Sequence, residues 1–105
     1  MKTLPVEDER HIGRFLGSMR FRDRKAATGY RCILRGFLRY IRAEKRDTRT
    51  VSEGVLRAWL RERRPHSPEY AIVYRAQSVE RFLGWLRQQG HIENNPCKHP
   101  SIYRS

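Results

Sequence analysis

Long apolar runs are missing from this 105-residue chain. No stretch approaches the roughly 20 residues a membrane-crossing helix needs, and an N-terminus holding Glu7, Asp8 and Glu9 does not have the pattern of a signal peptide. The chain is therefore predicted to be soluble and cytoplasmic. Cysteine is scarce: Cys32 and Cys97 stand far apart with no C-x-x-C spacing, which excludes a disulfide framework and leaves two reduced structural thiols. A metal site assembled from His91, Cys97 and His99 would need a fourth ligand and a closed geometry that the sequence does not supply. No metal and no other cofactor is expected. Internal repeats and low-complexity tracts are also absent, and no alternating strand pattern appears.

Lysine is nearly absent among the bases. Of 23 basic residues only Lys2, Lys25, Lys45 and Lys98 are lysines, which leaves 19 arginines. Codon usage in a GC-rich genome accounts for a preference of arginine over lysine. It does not account for a net charge of +12 against only 11 acids. A surplus of that size selects polyanionic partners, nucleic acid before an anionic membrane. Arginine suits both phosphate and guanine because its planar fork donates two hydrogen bonds at once.

What is present is helical periodicity. A first helix is predicted from about Pro5 to Met19, with Pro5 in its first turn, acids Glu7 to Glu9 at the positive end of the dipole, and Ile12, Phe15, Leu16 and Met19 inward. Gly13 and Gly17 weaken it. A second, about Lys25 to Glu44, has the clearest stripe: Tyr30, Ile33, Leu34, Phe37, Leu38 and Ile41. Thr50 and Glu53 have the spacing of a capping box for a third helix, about Val51 to Arg63, that buries Val55, Leu56, Trp59 and Leu60. Pro65 stops it. Ser67 and Pro68, as cap and first-turn residue, open a fourth helix reaching about Gln89, with Ile72, Ala76, Val79, Phe82, Leu83 and Leu86 inward and Gly90 as its C-terminal cap. The expected architecture is all-α, a compact four-helix domain with short connections.

The charge is concentrated on the second helix. Between Arg24 and Arg46 stand eight bases (Arg24, Lys25, Arg31, Arg35, Arg39, Arg42, Lys45 and Arg46) and one acid, Glu44. Arg31, Arg35, Arg39, Arg42 and Arg46 share one face beside the apolar stripe at 3.6 residues per turn. Like charges at i,i+4 repel, and no acid within the helix is interleaved to relieve them. A merely solvated face usually mixes signs, so the pattern predicts a surface facing phosphate. Duplex DNA suits an arginine-lined helix better than single-stranded RNA does, because single-strand binders stack bases on exposed aromatics. Here Phe15, Tyr30, Phe37, Trp59 and Phe82 are predicted core; Tyr40, Tyr74 and Trp85 lie off the stripes.

Three segments, TGYRCILRGFLRYI, VSEGVLRAWL and SPEYAIVYRAQSVERFLGWLRQQGHIENNP, together resemble the core-binding, SAM-like N-terminal domain of tyrosine recombinases (phage integrases). The matching positions are Thr28, Tyr30, Leu34 and Phe37, then Phe82, Trp85, Leu86, Gly90, Ile92, Asn95 and Pro96. The likeness runs over roughly residues 5 to 96. It implies a core-binding domain over 1–93, with 94–105 the start of a linker toward a catalytic domain that the chain lacks. In that family the two domains clamp the duplex of a recombination half-site between them, and protomers associate on the DNA. The residues that map onto its groove-facing helices are Arg24, Lys25, Thr28, Arg31, Arg35, Arg39 and Arg42, then Tyr74, Arg75 and Ser78. The chain departs from the family at Ala71, where Ser or Thr is frequent, and at Glu80, where a base is frequent.

Catalysis is not expected from this chain alone. The family's chemistry needs a tyrosine nucleophile and clustered Arg, Lys and His around the developing phosphorane charge. The segment HIGR, His11 to Arg14, has an H-x-x-R spacing but falls in the first helix, and four histidines among so many arginines produce it by chance. Both are read as surface residues. Tyr103 lacks the charged groups that would activate it. Two other functions fit the same composition: a protomer-docking module using the first helix and an exposed Trp85, and a basic helical RNA-binding domain.

Overall fold

The computed structural model describes residues 4–19 and 24–93, except the side chains of Arg24 and Arg64. Four helices follow one another: α1 (Val6–Ser18), α2 (Arg24–Ala43), α3 (Glu53–Arg63) and, after a single 3-10 turn at Arg64–His66, α4 (Glu69–Gln88). No strand occurs among the described residues. The radius of gyration, 13.0 Å, is that of a compact domain of this length, about 13 Å for 100 residues. The linker expected over 94–105 lies outside the described residues.

The two 20-residue helices, α2 and α4, form the frame, and each packs on both shorter ones. Their apolar stripes meet in one core. Leu34, Phe37, Leu38, Ile41, Val79, Phe82, Leu83 and Leu86 have no exposed surface at all, and each such side chain contributes about 1.5–3 kcal/mol by leaving water. Nearly every predicted core position is buried; Met19, Ile33 and Val55 are half-buried against the cluster. Phe15 holds α1 in place through an edge contact with Phe82 and a tilted one with Tyr30. Phe37 meets Trp59 edge-on at 5.2 Å and anchors α3. Offset and edge-on pairs of this kind match the positive rim of one ring to the negative face of the other.

Two helix ends share one closing geometry. After α4, Gly90 takes φ +80°, its N–H donates to Arg87 O, and His91 N–H donates to Leu86 O. This is a Schellman motif, as the glycine predicts. After α2 the same pair of bonds forms, Lys45 N–H to Arg42 O and Arg46 N–H to Ile41 O, but the left-handed residue is Lys45, φ 59°.

Two expected starts are different. Ser52, not Thr50, caps α3: its Oγ accepts from Val55 N–H at 3.3 Å, so the helix begins at Glu53 and no capping box forms. Thr50 Oγ1 instead accepts from Asp47 N–H, because Asp47 and Thr50 close a turn of their own. Burial pushes the Asp47 carboxyl up, but hydrogen bonds from Arg49 N–H, Thr50 N–H and the Thr50 hydroxyl, with Arg42 nearby, outweigh it and hold the group below its ordinary value. Nor does Ser67 cap α4. Pro68 occupies that position without a side-chain bond, and Ser67 Oγ accepts from Arg75 Nη1 at 2.8 Å.

Candidate nucleic-acid interface

The first turn of α1 lies against the last turns of α2, and its acids lie beside the arginine stripe. Asp8 is only 2% exposed and accepts two hydrogen bonds from Arg42, Nε to Oδ2 at 3.0 Å and Nη2 to Oδ1 at 2.9 Å. This bidentate pair raises the Arg42 pKa through the Asp8 hydrogen bond, against the opposing effect of burial. Glu9 pairs with Arg35 at 3.1 Å and Glu7 approaches Arg49 at 3.9 Å. The relief missing within α2 thus comes from a neighbouring helix.

The stripe is therefore divided. Arg35 and Arg42 are partly neutralised, and each keeps about a third of its side chain exposed. Arg46 is not on the helix, since α2 ends at Ala43; its Nη1 donates to Thr50 O in the following turn. Lys25, Thr28, Arg31 and Arg39 stand exposed, and no carboxylate of the described residues pairs with Lys25, Arg31 or Arg39. Thr28, Arg31, Arg35, Arg39 and Arg42 occupy an arc of about 80° on α2. Arg24 opens the helix; its side chain is outside the described ones.

Helix α4 lies beside the first half of this surface. Tyr74 meets Tyr30 of α2 edge-on at 5.9 Å, and Arg81 Nη1 reaches the Tyr30 hydroxyl at 3.5 Å. Tyr74 keeps 42% of its surface exposed, in agreement with its position off the stripe, while burial, then Tyr30, raises its phenol above its ordinary range. Arg75 is half-buried and held by Ser67. Ser78 requires a correction. It is fully buried, and its hydroxyl donates to Tyr74 O at 2.8 Å, so its side chain is not on the surface that faces a ligand. A serine satisfied by its own helix four residues back can sit in a core without another partner. Sequence reasoning passed over Tyr70, 78% exposed, and Arg81. The signal was available: Tyr70, Tyr74, Gln77 and Arg81 recur at i, i+4, i+7 and i+11 opposite the apolar stripe.

The H-x-x-R segment also differs from its reading. Arg14 is exposed, but His11 is buried, with its ring 4.4 Å from that of His91. Burial, then the neighbouring His91, lowers the His11 pKa below 6.5, against the pull of Glu7 and Asp8. Trp85, expected exposed, is half-buried between Phe15 and His91. Its helix turns it away from the main stripe, and α1 covers it. Cys97 and His99 lie outside the described residues, and among those described no group of three or more His, Cys, Asp or Glu is placed to hold a metal. No described helix is long and apolar enough to cross a membrane.

Comparison with known proteins finds a relative but assigns no family. No family model matches this chain, and no solved structure matches it. It is 29% identical over 94 residues to the uncharacterized protein y4gB of Sinorhizobium fredii (strain NBRC 101917 / NGR234), an alignment covering 90% of this chain and 65% of that protein. The chain is a compact, all-helical, four-helix domain with a basic face formed by α2 and the adjoining surface of α4.

Proposed function

We propose that this chain is a duplex-DNA-binding module in the manner of the core-binding domain of a tyrosine recombinase, and that the outer face of α2 lies against the phosphates of a half-site. The observation that carries this reading is the set Lys25, Arg31 and Arg39, exposed along the outer side of one helix with no carboxylate partner among the described residues. An isolated helix gains nothing from such a row of like charges; a polyanion alongside supplies the missing counter-charge. Thr28 and Arg31 offer base-edge donors, Arg35 and Arg42 add charge at the margin, and Tyr74 with Arg81 extends the face onto α4. In this reading the module positions DNA, and strand cleavage belongs to a separate catalytic domain.

The experiment is a fluorescence-anisotropy titration of a labelled duplex from 50 to 200 mM salt. Three neutralised phosphates give a slope of log K against log salt near −2.7, or about a 40-fold loss of affinity over that range. The triple variant Lys25→Glu, Arg31→Glu, Arg39→Glu should abolish binding with its circular dichroism unchanged. Absence of duplex affinity in the unsubstituted protein at 50 mM salt rejects the reading. Stronger displacement by duplex RNA than by duplex DNA rejects the choice of polymer.

A further inference from the structure

Three large apolar side chains of the described residues stand exposed, Val6, Tyr70 and Tyr74, and two of them lie one turn apart on α4. Tyr70 is 78% exposed and Tyr74 42%. With Gln77 and Arg81, also exposed, they form a row within an arc of about 60°. An open recess of about 560 Å³ runs along the first half of this row, lined by Tyr70, Ala71, Val73, Tyr74 and Gln77. The row holds no carboxylate. Glu69 and Glu80, the acids of α4, lie about 90–110° round the helix from its middle.

Part of the row is held in place from below. The Tyr74 ring meets that of buried Tyr30 edge-on at 5.9 Å, and the Tyr30 hydroxyl accepts from Arg81 Nη1 at 3.5 Å. Tyr30 thus braces Tyr74 and Arg81 together, and side chains already ordered lose less freedom in a complex. The bond to Tyr30 uses one of the five N–H donors of a guanidinium. Arg81 forms no ion pair with a carboxylate of the described residues.

Two rings are a small apolar surface. A tyrosine buries about 150–250 Å², so the pair falls short of the roughly 800 Å² per partner of a stable protein interface. A nucleobase needs only one ring face, and every base has a face to offer in return. Four residues of helix rise about 6 Å, close to two of the about 3.4 Å steps between bases along a strand. A strand lying along α4 therefore reaches both rings. The Gln77 amide offers a donor and an acceptor to a base edge, and one turn further Arg81 offers a cation to a phosphate. The case against single strands, that the aromatics are core, does not extend to Tyr70 and Tyr74.

We propose that the row from Tyr70 to Arg81 is a stacking platform for unpaired bases of a single-stranded nucleic acid. Tyr70 and Tyr74 take the bases, Gln77 bonds a base edge and Arg81 neutralises a phosphate. The platform does not rest on the duplex reading, which Lys25, Arg31 and Arg39 of α2 carry, although Tyr74 and Arg81 serve both.

The test compares, by fluorescence anisotropy at about 100 mM salt, a labelled thymidine oligonucleotide of about 12 residues with an abasic strand of equal length. The two carry the same phosphates and differ only in bases, so the ratio of their affinities isolates stacking. The thymidine strand should bind at least about 25-fold more tightly, about fivefold or more for each ring. Tyr70→Ala with Tyr74→Ala should bring the ratio near one, while Tyr70→Phe with Tyr74→Phe should keep it. Tyr70→Ala alone should lower it about fivefold, and at 78% exposure this change leaves circular dichroism unaltered. Equal binding of the two strands, or a ratio unmoved by the alanine variants, overturns the platform and leaves the tyrosines to a protein partner. A uridine strand that binds more tightly than its deoxyuridine counterpart assigns RNA, and the reverse order assigns DNA; equal binding assigns a platform that takes both. The Lys25→Glu, Arg31→Glu, Arg39→Glu variant should lose duplex binding and keep the ratio, so failure of either proposal is distinguishable from failure of the other.

Discussion

Replacing Arg42 by methionine tests the ion pair that joins the first turn of α1 to α2. Methionine keeps most of the aliphatic length of arginine, so packing is nearly preserved while the guanidinium is lost. Asp8 then remains 2% exposed with neither of the bonds it accepts at 2.9 and 3.0 Å. Breaking a fully buried ion pair from one side costs about 3–5 kcal/mol. Arg42 keeps 34% of its side chain exposed, so water screens part of the interaction and the expected loss is about 2–3 kcal/mol. A domain of this size has a total stability of roughly 5–15 kcal/mol, and each kcal/mol moves its melting temperature by about 4–8 °C. Arg42→Met should therefore melt about 10–20 °C lower at pH 7, with a reduced urea midpoint followed by circular dichroism. The companion Asp8→Asn, Arg42→Met protein separates mechanism from damage. Without the buried charge, more than half of the lost stability should return, since the larger cost lies in the stranded carboxylate and the smaller in the missing attraction. A single variant within 0.5 kcal/mol of the unsubstituted protein would refute the argument, as would a double variant no better than the single.

The remaining expectations concern the exposed pair, the helix ends and the buried histidine. Glu9→Gln should change stability by less than about 0.5 kcal/mol, because its partner Arg35 is 38% exposed; if the duplex reading holds, anisotropy should show tighter DNA binding with a slope steeper by about 0.9 as Arg35 is released. Lys45→Gly should raise the urea midpoint by the equivalent of about 0.5–1 kcal/mol, since Lys45 holds φ 59° in a position glycine occupies without a Cβ clash; Gly90→Ala, at φ +80°, should lower it by about 1 kcal/mol. His11 has a folded-state pKa below 6.5, so between that lowered value and 6.5 the unfolded chain binds more protons than the native one. Its stabilisation is complete above pH 6.5 and is lost as the pH falls through the lowered value. Urea midpoints at pH 7.5 and 5.5 should thus differ more for the unsubstituted protein than for His11→Gln; equal differences would remove His11 as the cause.

Much of this architecture was legible in the chain because period 3.6 is written redundantly. Tyr30, Leu34, Phe37, Leu38 and Ile41 each repeat the same information, and one misleading residue would not have changed it. Gly90 was legible for another reason: few residues tolerate a left-handed turn, so a glycine after a periodic run has one main use. The failures share the opposite property. Thr50 and Ser52 both precede α3 and both are good caps; Asp47, three residues before Thr50, decided between them by claiming Thr50 for a turn. Periodicity assigns a side chain to a face but does not say which helix will cover that face. That is why Asp8 and Glu9 appeared to be dipole acids alone, and the arginine row of α2 appeared wholly open. Ser78 was placed on the groove side by the family resemblance and His11 was read as a surface residue, whereas Ser78 is satisfied by Tyr74 O and His11 is covered beside His91. In the candidate interface, the exposed bases were read directly; the pairing that removes Arg35 and Arg42 from full availability required the third dimension.

The two tryptophans give this fold separate internal probes. Trp59 sits buried in the seam between α2 and α3, edge-on to Phe37, and Trp85 lies half-covered beside Phe15 and His91, where α1 meets α4. Light emitted by the first reports whether α3 is docked, and light emitted by the second reports whether α1 is. Single-tryptophan versions can therefore time the detachment of each short helix independently, without attaching a dye.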